Sequence, residues 1–437
     1  MSNPRKAPAK RRGTPRKAAK KRQICVRMYN VGFGDCFLIR IPTTEGERRM
    51  LVDCGYHSQG KGQFSDKDLV EQITKDLDGA PLDVVVATHR HQDHISGFGE
   101  AELWKKIAVD EVWLPFTAHP DAADAEPALR AWHGLMERAG EFLVDGELTA
   151  QASAALGARE PQDREAVKFM LWNARANAPG IQNLLDGMAR KGGGRAKRRF
   201  LPESKKFPSR IVTAVLPGVT THVLGPPRDP KLRKSLKVPA SWGVTDEVVM
   251  GETGGGDLGS PFGEEWRVPI DRLSGRLPFQ ERTLNSIRRF NDDLLHAARA
   301  VDGFLNGESL VLVIEFGNAR LLLPGDAEVG TWTAILANPA AAALAASATF
   351  LKVGHHGSHN ATPLAFVKTQ LAKLTPAVIS TQEGRGNYRN GIPLDELLSA
   401  MTDRGMPFVR SDKPPMKRKG IFTPGEGQRW VDCAIPC

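Results

Sequence analysis

His89, His91, Asp93 and His94 fall within six consecutive positions, and all are types that hold a divalent metal. They follow Val84-Val85-Val86-Ala87-Thr88, an apolar run that reads as a buried strand. If that strand continues through His91, its period of two puts His89 and His91 on one face and turns Arg90 away, so two imidazoles converge on one ion. Asp93 and His94 come just after, with Gly97 marking a tight turn, and can reach a second ion beside the first. Nitrogen and oxygen donors without thiolate suit zinc, manganese or iron. Two adjacent divalent ions lower the pKa of a bridging water and stabilise charge developing on oxygen, so hydrolysis by metal-bound hydroxide is the chemistry expected. A polar surface loop is the bland alternative; strand context, spacing and residue type together argue against it.

Further motifs flank this loop in a fixed order. Asn30-Val31-Gly32-Phe33-Gly34-Asp35 is similar to a D-V-G-Q-G-D opening, and Val52-Asp53-Cys54-Gly55 to a D-x-G turn. Asn306-x-x-Ser309-Leu310-Val311-Leu312, then Gly325-Asp326, then Leu351-Lys352-Val353-Gly354-His355-His356-Gly357-Ser358 come later. With these motifs the chain resembles metallo-β-lactamase-fold hydrolases, and among them the soluble catalytic domain of ComEC-type competence proteins. The resemblance implies an α/β fold, the metallo-β-lactamase αββα four-layer sandwich, carrying a mainly helical insertion. It implies a dinuclear centre of two divalent ions, Zn2+ or Mn2+. The ligands would be His89, His91, Asp93, His94, Asp326 as a bridge giving one oxygen to each ion, and one of His355 and His356. The other of that pair would contact substrate or donate a proton, which makes Asp93, His355 and His356 the catalytic candidates. Asp35 and Asp53 would hold the ligand loop rather than bind metal.

The chain also departs from that pattern. Many relatives place another His between the H-x-H-x-D-H loop and the bridging Asp, whereas Asn306 and Ser309 mark the region here, which leaves the first ion to solvent. His296 beside Leu294 and Leu295 reads as a helix side chain, and His359 as a loop side chain. Gly391-Ile392-Pro393 stands where the subgroup often has an H-P pair, and the competence proteins' membrane channel has no counterpart.

The elements that must position these residues are short. Strands are expected at 24–29, 36–41, 50–53, 83–88 and 111–114, with a helix at 66–77 whose Leu69, Ile73 and Leu77 share a face. Residues 117–217 read as an insertion, with Leu129, Trp132 and Met136 at helical spacing and a basic, flexible stretch from Arg190 to Arg210. A strand at 221–224 precedes an irregular stretch, 228–300, in which Gly254 to Gly256 read as a flexible loop because the G-K-[ST] ending of a phosphate loop is missing. Strands at 310–316 and 320–323 meet at the Gly317-Asn318 turn, and strands at 348–353, 377–380 and 408–410 follow with a helix at 394–404. The order suits two sheets packed face to face with helices outside, and no internal repeat is visible.

Hydrophobic residues at 41% and charged residues at 25% exclude a disordered or membrane chain. Residues 1–22 hold ten cations and no anion, which accounts for the whole net charge of +10 and leaves 23–437, the catalytic domain, formally neutral. Such a tail is expected to be disordered and to hold polyanions by counterion release. Arg11, Arg12, Lys20, Lys21 and Arg22 in it, with Arg195, Lys197, Arg198 and Arg199 in the insertion, are the candidate nucleic-acid contacts, and no membrane partner is expected. Cys25, Cys36, Cys54, Cys433 and Cys437 form no C-x-x-C pair, so neither a disulfide framework nor a thiolate metal site is expected. With no signal peptide or apolar span evident, the cytoplasm is the expected compartment. The expected function is a phosphodiesterase or nuclease acting on DNA or RNA. Its rivals are a small-molecule hydrolase of a phosphocholine-type ester, lactam or lactone, and a nucleic-acid-binding protein with a structural metal site.

Overall fold

Apolar side chains on both faces of the central strands demand cover on both sides, and the fold supplies it with four layers. The computed structural model describes residues 22–57, 60, 62–122, 129, 142–144, 147–150, 152–153, 161–174, 178–233, 294–383 and 392–437. The strands are β1 (Gln23–Tyr29), β2 (Cys36–Thr43), β3 (Gly46–Cys54), β4 (Leu82–Val86) and β5 (Val109–Pro115), a separate pair β6 (Leu143–Val144) and β7 (Glu147–Leu148), then β8 (Lys197–Leu201), β9 (Ser209–Ile211) and β10 (Thr220–Gly225). After them come β11 (Val311–Phe316), β12 (Ala319–Leu323), β13 (Phe350–Lys352), β14 (Ala377–Ile379), β15 (Phe408–Arg410), β16 (Phe422–Pro424) and β17 (Trp430–Pro436). One sheet has the order β16-β17-β1-β2-β3-β4-β5-β8, the other β15-β14-β13-β12-β11-β10-β9.

The helices that matter for the site are α1 (Asp66–Leu77), α2 (Gln92–Ile95), α3 (Pro161–Ala174), α4 (Leu294–Gly307), α5 (Val329–Ala337), α6 (Pro339–Ala346) and α7 (Asp395–Asp403). Ser65 starts α1 through a capping box with Asp68, which satisfies two of the otherwise orphaned backbone donors. Between the sheets, Val26, Phe37, Met50, Val84 and Trp113 of one pack on Leu312, Ile314, Leu321, Phe350 and Val378 of the other. On the outer face of the first sheet, Leu51, Val85 and Val112 lie under Leu69, Val70 and Ile73 of α1. On the outer face of the second, Val313, Leu322 and Leu351 lie under Trp332 and Ile335 of α5, Ala341 of α6 and Leu397 of α7. This is the αββα sandwich expected from the sequence.

The two sheets repeat one pattern. β1, β2 and β3 are antiparallel, and β3, β4, β5 and β8 then run parallel. In the other sheet β10, β11 and β12 are antiparallel, and β12, β13, β14 and β15 then run parallel. The ligand loop after β4 and the His355-His356 loop after β13 therefore occupy equivalent positions, a topological repeat with no visible counterpart in the sequence.

Three expectations need correction. The region 117–217, expected to be mainly helical, contains α3 but also supplies β8 and β9, an edge strand of each sheet. The basic stretch contains β8, the last strand of its sheet among the described residues, with Lys197, Arg198 and Arg199 on it. The end of the irregular stretch opens α4 from Leu294, while residues 234–293, Gly254 to Gly256 included, lie outside the described residues. Among the described residues no single helix is long and apolar enough to cross a membrane, and the apolar pair α5 and α6 is bent by 106° where they meet.

Phe350, fully buried between the sheets, tests this packing. Phe350→Ala should lower stability by about 3–5 kcal/mol, read as a shift of the urea unfolding midpoint with an unchanged slope.

Candidate metal centre

The chain leaves β4 after Val86, earlier than expected, because Thr88 turns onto the end of β3: its N–H donates to Asp53 Oδ1 and its hydroxyl to Asp53 Oδ2, both at 2.7 Å. Strand periodicity is therefore not what aligns His89 and His91. Both lie in the loop, His91 at the N-cap of α2, and the loop itself brings His89 Nε2 to 2.9 Å from His91 Nδ1. Asp93 and His94 stand on the single turn of α2. Gly55 lets the turn after β3 touch that helix, since a Cβ there would come within 2.6 Å of Gln92 O.

The other sheet delivers the remaining ligands. After β12, Gly325 has φ 55° and packs against Thr88, and Ser309 Oγ accepts the Asp326 N–H at 3.2 Å. After β13, His355 and His356 both have left-handed backbone, φ 46° and 54°, a conformation costing about 1–2 kcal/mol per non-glycine residue and typical of functional sites. The two rings consequently diverge. His356 Nε2 is 3.1 Å from Asp93 Oδ2 and 3.4 Å from Asp326 Oδ2, whereas His355 Nδ1 is 3.7 Å from Glu328 Oε1. His94 Nε2 is 3.0 Å from Asp326 Oδ2. Donor atoms of Asp93, His94, Asp326 and His356 all lie within 4.8 Å of one another, so His356 is the member of the pair that joins this group.

Asp326 has one of its two oxygens engaged within the protein. Its Oδ1 accepts from Lys352 Nζ and from the His355 N–H, each at 3.1 Å, which leaves Oδ2 to face the imidazoles. Lys352 also pairs with Asp35. Asp53 Oδ2 lies 2.8 Å from His94 Nδ1, and His356 Nδ1 donates to Ser380 O at 2.8 Å, so each of these rings has its inner nitrogen aimed at the centre and its outer nitrogen fixed. Asp35 Oδ2 is 3.6 Å from His94 Nδ1. The insertion reaches the site as well: Asn173 of α3 accepts the Asp93 N–H at 3.1 Å, Phe169 stacks on His57 at 3.8 Å, and the Phe33 ring is 4.1 Å from that of His356.

The donor set fits a divalent cation. Asp93 Oδ1 is buried with no hydrogen-bond partner among the described residues. Burial opposes charge on His94 and His356, yet Asp326 and its neighbouring carboxylates win, raising His94 well above the ordinary imidazole range and His356 to about 10. Burial likewise opposes charge on Asp93 and Asp326, and the imidazoles nonetheless pull both well below the carboxylate range. The carboxylates thus favour positive charge at the imidazoles, the charge that a bound cation would supply.

Thr88, Asn173, Lys352, Asp302 and Glu328 join the surroundings of the centre without having been expected. A lysine in the three-residue buried strand Phe350–Lys352 and a lone acid in the apolar face of α4 were the available signals. His359 belongs to none of the ligand groups among the described residues, and the His296 side chain lies outside them. Arg11, Arg12, Lys20 and Lys21 also lie outside the described residues, and Arg22 is exposed at the start of β1. Lys197 is exposed, but Arg195 pairs with Asp186 at 2.9 Å, Arg199 with Glu203 at 2.7 Å, and Arg198 donates to backbone carbonyls such as Leu184 O at 2.9 Å.

The layers and the equivalent ligand loops define the metallo-β-lactamase fold. Residues 29–180 match the family model described as Metallo-beta-lactamase superfamily, a segment that contains Asp35, Asp53 and the whole H-x-H-x-D-H loop. Among solved structures the chain is similar to the metallo-beta-lactamase fold protein YhfI from Bacillus subtilis, at 9% identity and a TM-score of 0.33, over 89% of this chain and 97% of that one. No curated protein matches the chain.

Asp53→Asn keeps the shape of the side chain but removes its charge from His94 Nδ1. Affinity for Zn2+ or Mn2+, measured by competition with a chelator, should fall by about 10- to 100-fold while the far-ultraviolet circular dichroism is retained.

Proposed function

We propose that the chain is a metal-dependent hydrolase, and specifically a phosphodiesterase that cleaves DNA or RNA. The observation that carries the hydrolase reading is the meeting of Asp93 and His94 from one sheet with Asp326 and His356 from the other, donor atoms within 4.8 Å. Divalent cations held there, Zn2+ or Mn2+ in this reading, would lower the pKa of a water and stabilise charge that develops on oxygen. The protein's own groups prepare that position. Lys352 and the His355 N–H fix Asp326 so that Oδ2 alone faces inward, while Asp53 and Ser380 O hold the outer nitrogens of His94 and His356. Phe33, itself buried, packs against the His356 ring. Burial lowers the His355 pKa to about 4, against the pull of Asp326, which favours the neutral ring at pH 7.

The choice of nucleic acid rests on the ten cations of residues 1–22 and on the ComEC-like order of motifs. A second reading, a small-molecule hydrolase, is favoured by the aromatic wall of Phe33, His57, Phe169 and Trp172 beside the centre and by the internal pairing of Arg195 and Arg199.

Cleavage of single-stranded DNA, duplex DNA and RNA with Mn2+ or Zn2+ tests the proposal. Wild type should release product, and Asp93→Ala should lose more than the roughly 100-fold that loss of an outer partner costs. Equal product from both would defeat it. Removing residues 1–22 should weaken cleavage at moderate salt, and unchanged cleavage of small esters alone would favour the second reading.

A further inference from the structure

A second group of metal-type ligands lies beside this centre. Asp302 on α4, Glu328 just before α5 and His355 after β13 offer donor atoms within 4.8 Å of one another. Asp302 and Glu328 are 7% and 4% exposed, and among the described residues neither has a lysine or arginine within ion-pair distance. Two buried carboxylates without a cationic partner are costly to keep ionised, and a bound cation removes that cost.

The surrounding side chains are set for one. Asn306 Nδ2 donates to Glu328 Oε1 at 2.8 Å and fixes that carboxylate, while His355 Nδ1 has no hydrogen-bond partner among the described residues. The independent sign is His91. Its ring is 1% exposed, its Nδ1 faces His89, and its Nε2, with no hydrogen-bond partner, is aimed at Asp302 Oδ1 from 3.5 Å. The acidic group therefore sits across the His91 ring from His89.

We propose that Asp302, Glu328 and His355 hold a divalent cation of their own, with His91 Nε2 beside it, distinct from the centre of Asp93, His94, Asp326 and His356. Two carboxylates and one imidazole, with no thiolate, suit Mn2+ or Zn2+. The site ties α4 to the start of α5 and to the loop after β13, so it braces elements that reach the centre from three parts of the chain.

The test uses the full chain and Mn2+ alone, and its outcome does not depend on whether nucleic acid is cleaved. After dialysis against Mn2+, metal content by mass spectrometry should be one equivalent lower in the double variant Asp302→Asn, Glu328→Gln than in wild type. Asp93→Ala should keep the equivalent that the double variant loses. Equal content in wild type and the double variant would overturn the proposal. Should the double variant not melt like wild type, anomalous scattering from wild-type crystals soaked in Mn2+ decides: a peak between Asp302, Glu328 and His355 supports the site, and a peak confined to the Asp93–His94–Asp326–His356 group refutes it.

Discussion

One imidazole joins the two halves of the molecule. His94, with no exposed surface, lies 2.8 Å from Asp53 at the end of β3 and 3.0 Å from Asp326 beyond the end of β12. Around it Asp35, Asp53, Asp93 and Asp326 are all buried to about 1% exposure, and Lys352, His94 and His356 are the cationic groups set among them. Burying an ion costs several kcal/mol unless it is paired and hydrogen-bonded, so these carboxylates can coexist only because positive charge is placed between them. The sheets must therefore bring their strand ends together at one point. The close approach of Gly325 to Thr88, and of Gly55 to α2, is the backbone side of the same constraint.

Much of this was legible in the residues, for reasons that can be named. β1, β2, α1 and β15 follow apolar periodicity that a window of a few residues reveals. The loop from His89 to His94 was readable as a metal site because four donor types crowd into it. Its geometry was not, because the strand stops where Thr88 finds Asp53, a partner 35 positions away. The choice between His355 and His356 depended on two left-handed residues that no local pattern announces. Lys352 and Asp302 stood out locally as charges among apolar neighbours, but their partners, Asp35 and Asp326 for the one and His91 for the other, lie far away in the chain. α6, an alanine run, shows no contrast between faces from which a helix could be read.

The repeated strand order gives these details a common logic. In each sheet a hairpin ends in an aspartate, Asp53 or Asp326, and the next parallel strand ends in an imidazole loop. The two loops meet because the sheets face each other, yet they have been given different work. Asp53 grips Thr88 and the outer nitrogen of His94, while Asp326 turns Oδ2 to the inner nitrogens and is itself gripped by Lys352.

The pairing of β1 with β17 sets a distance. Gln23 opposes Pro436, and Cys437 N–H donates to Arg22 O at 3.2 Å, so the start of the described chain is pinned to its end. From Gln23 the strand runs seven residues, about 20 Å at roughly 3.3 Å per residue, before the turn that carries Asp35 to the centre. Arg22 is thus moored at the opposite rim of the sheet from the metal ligands. A polymer seated at both places at once would have to stretch the length of that strand.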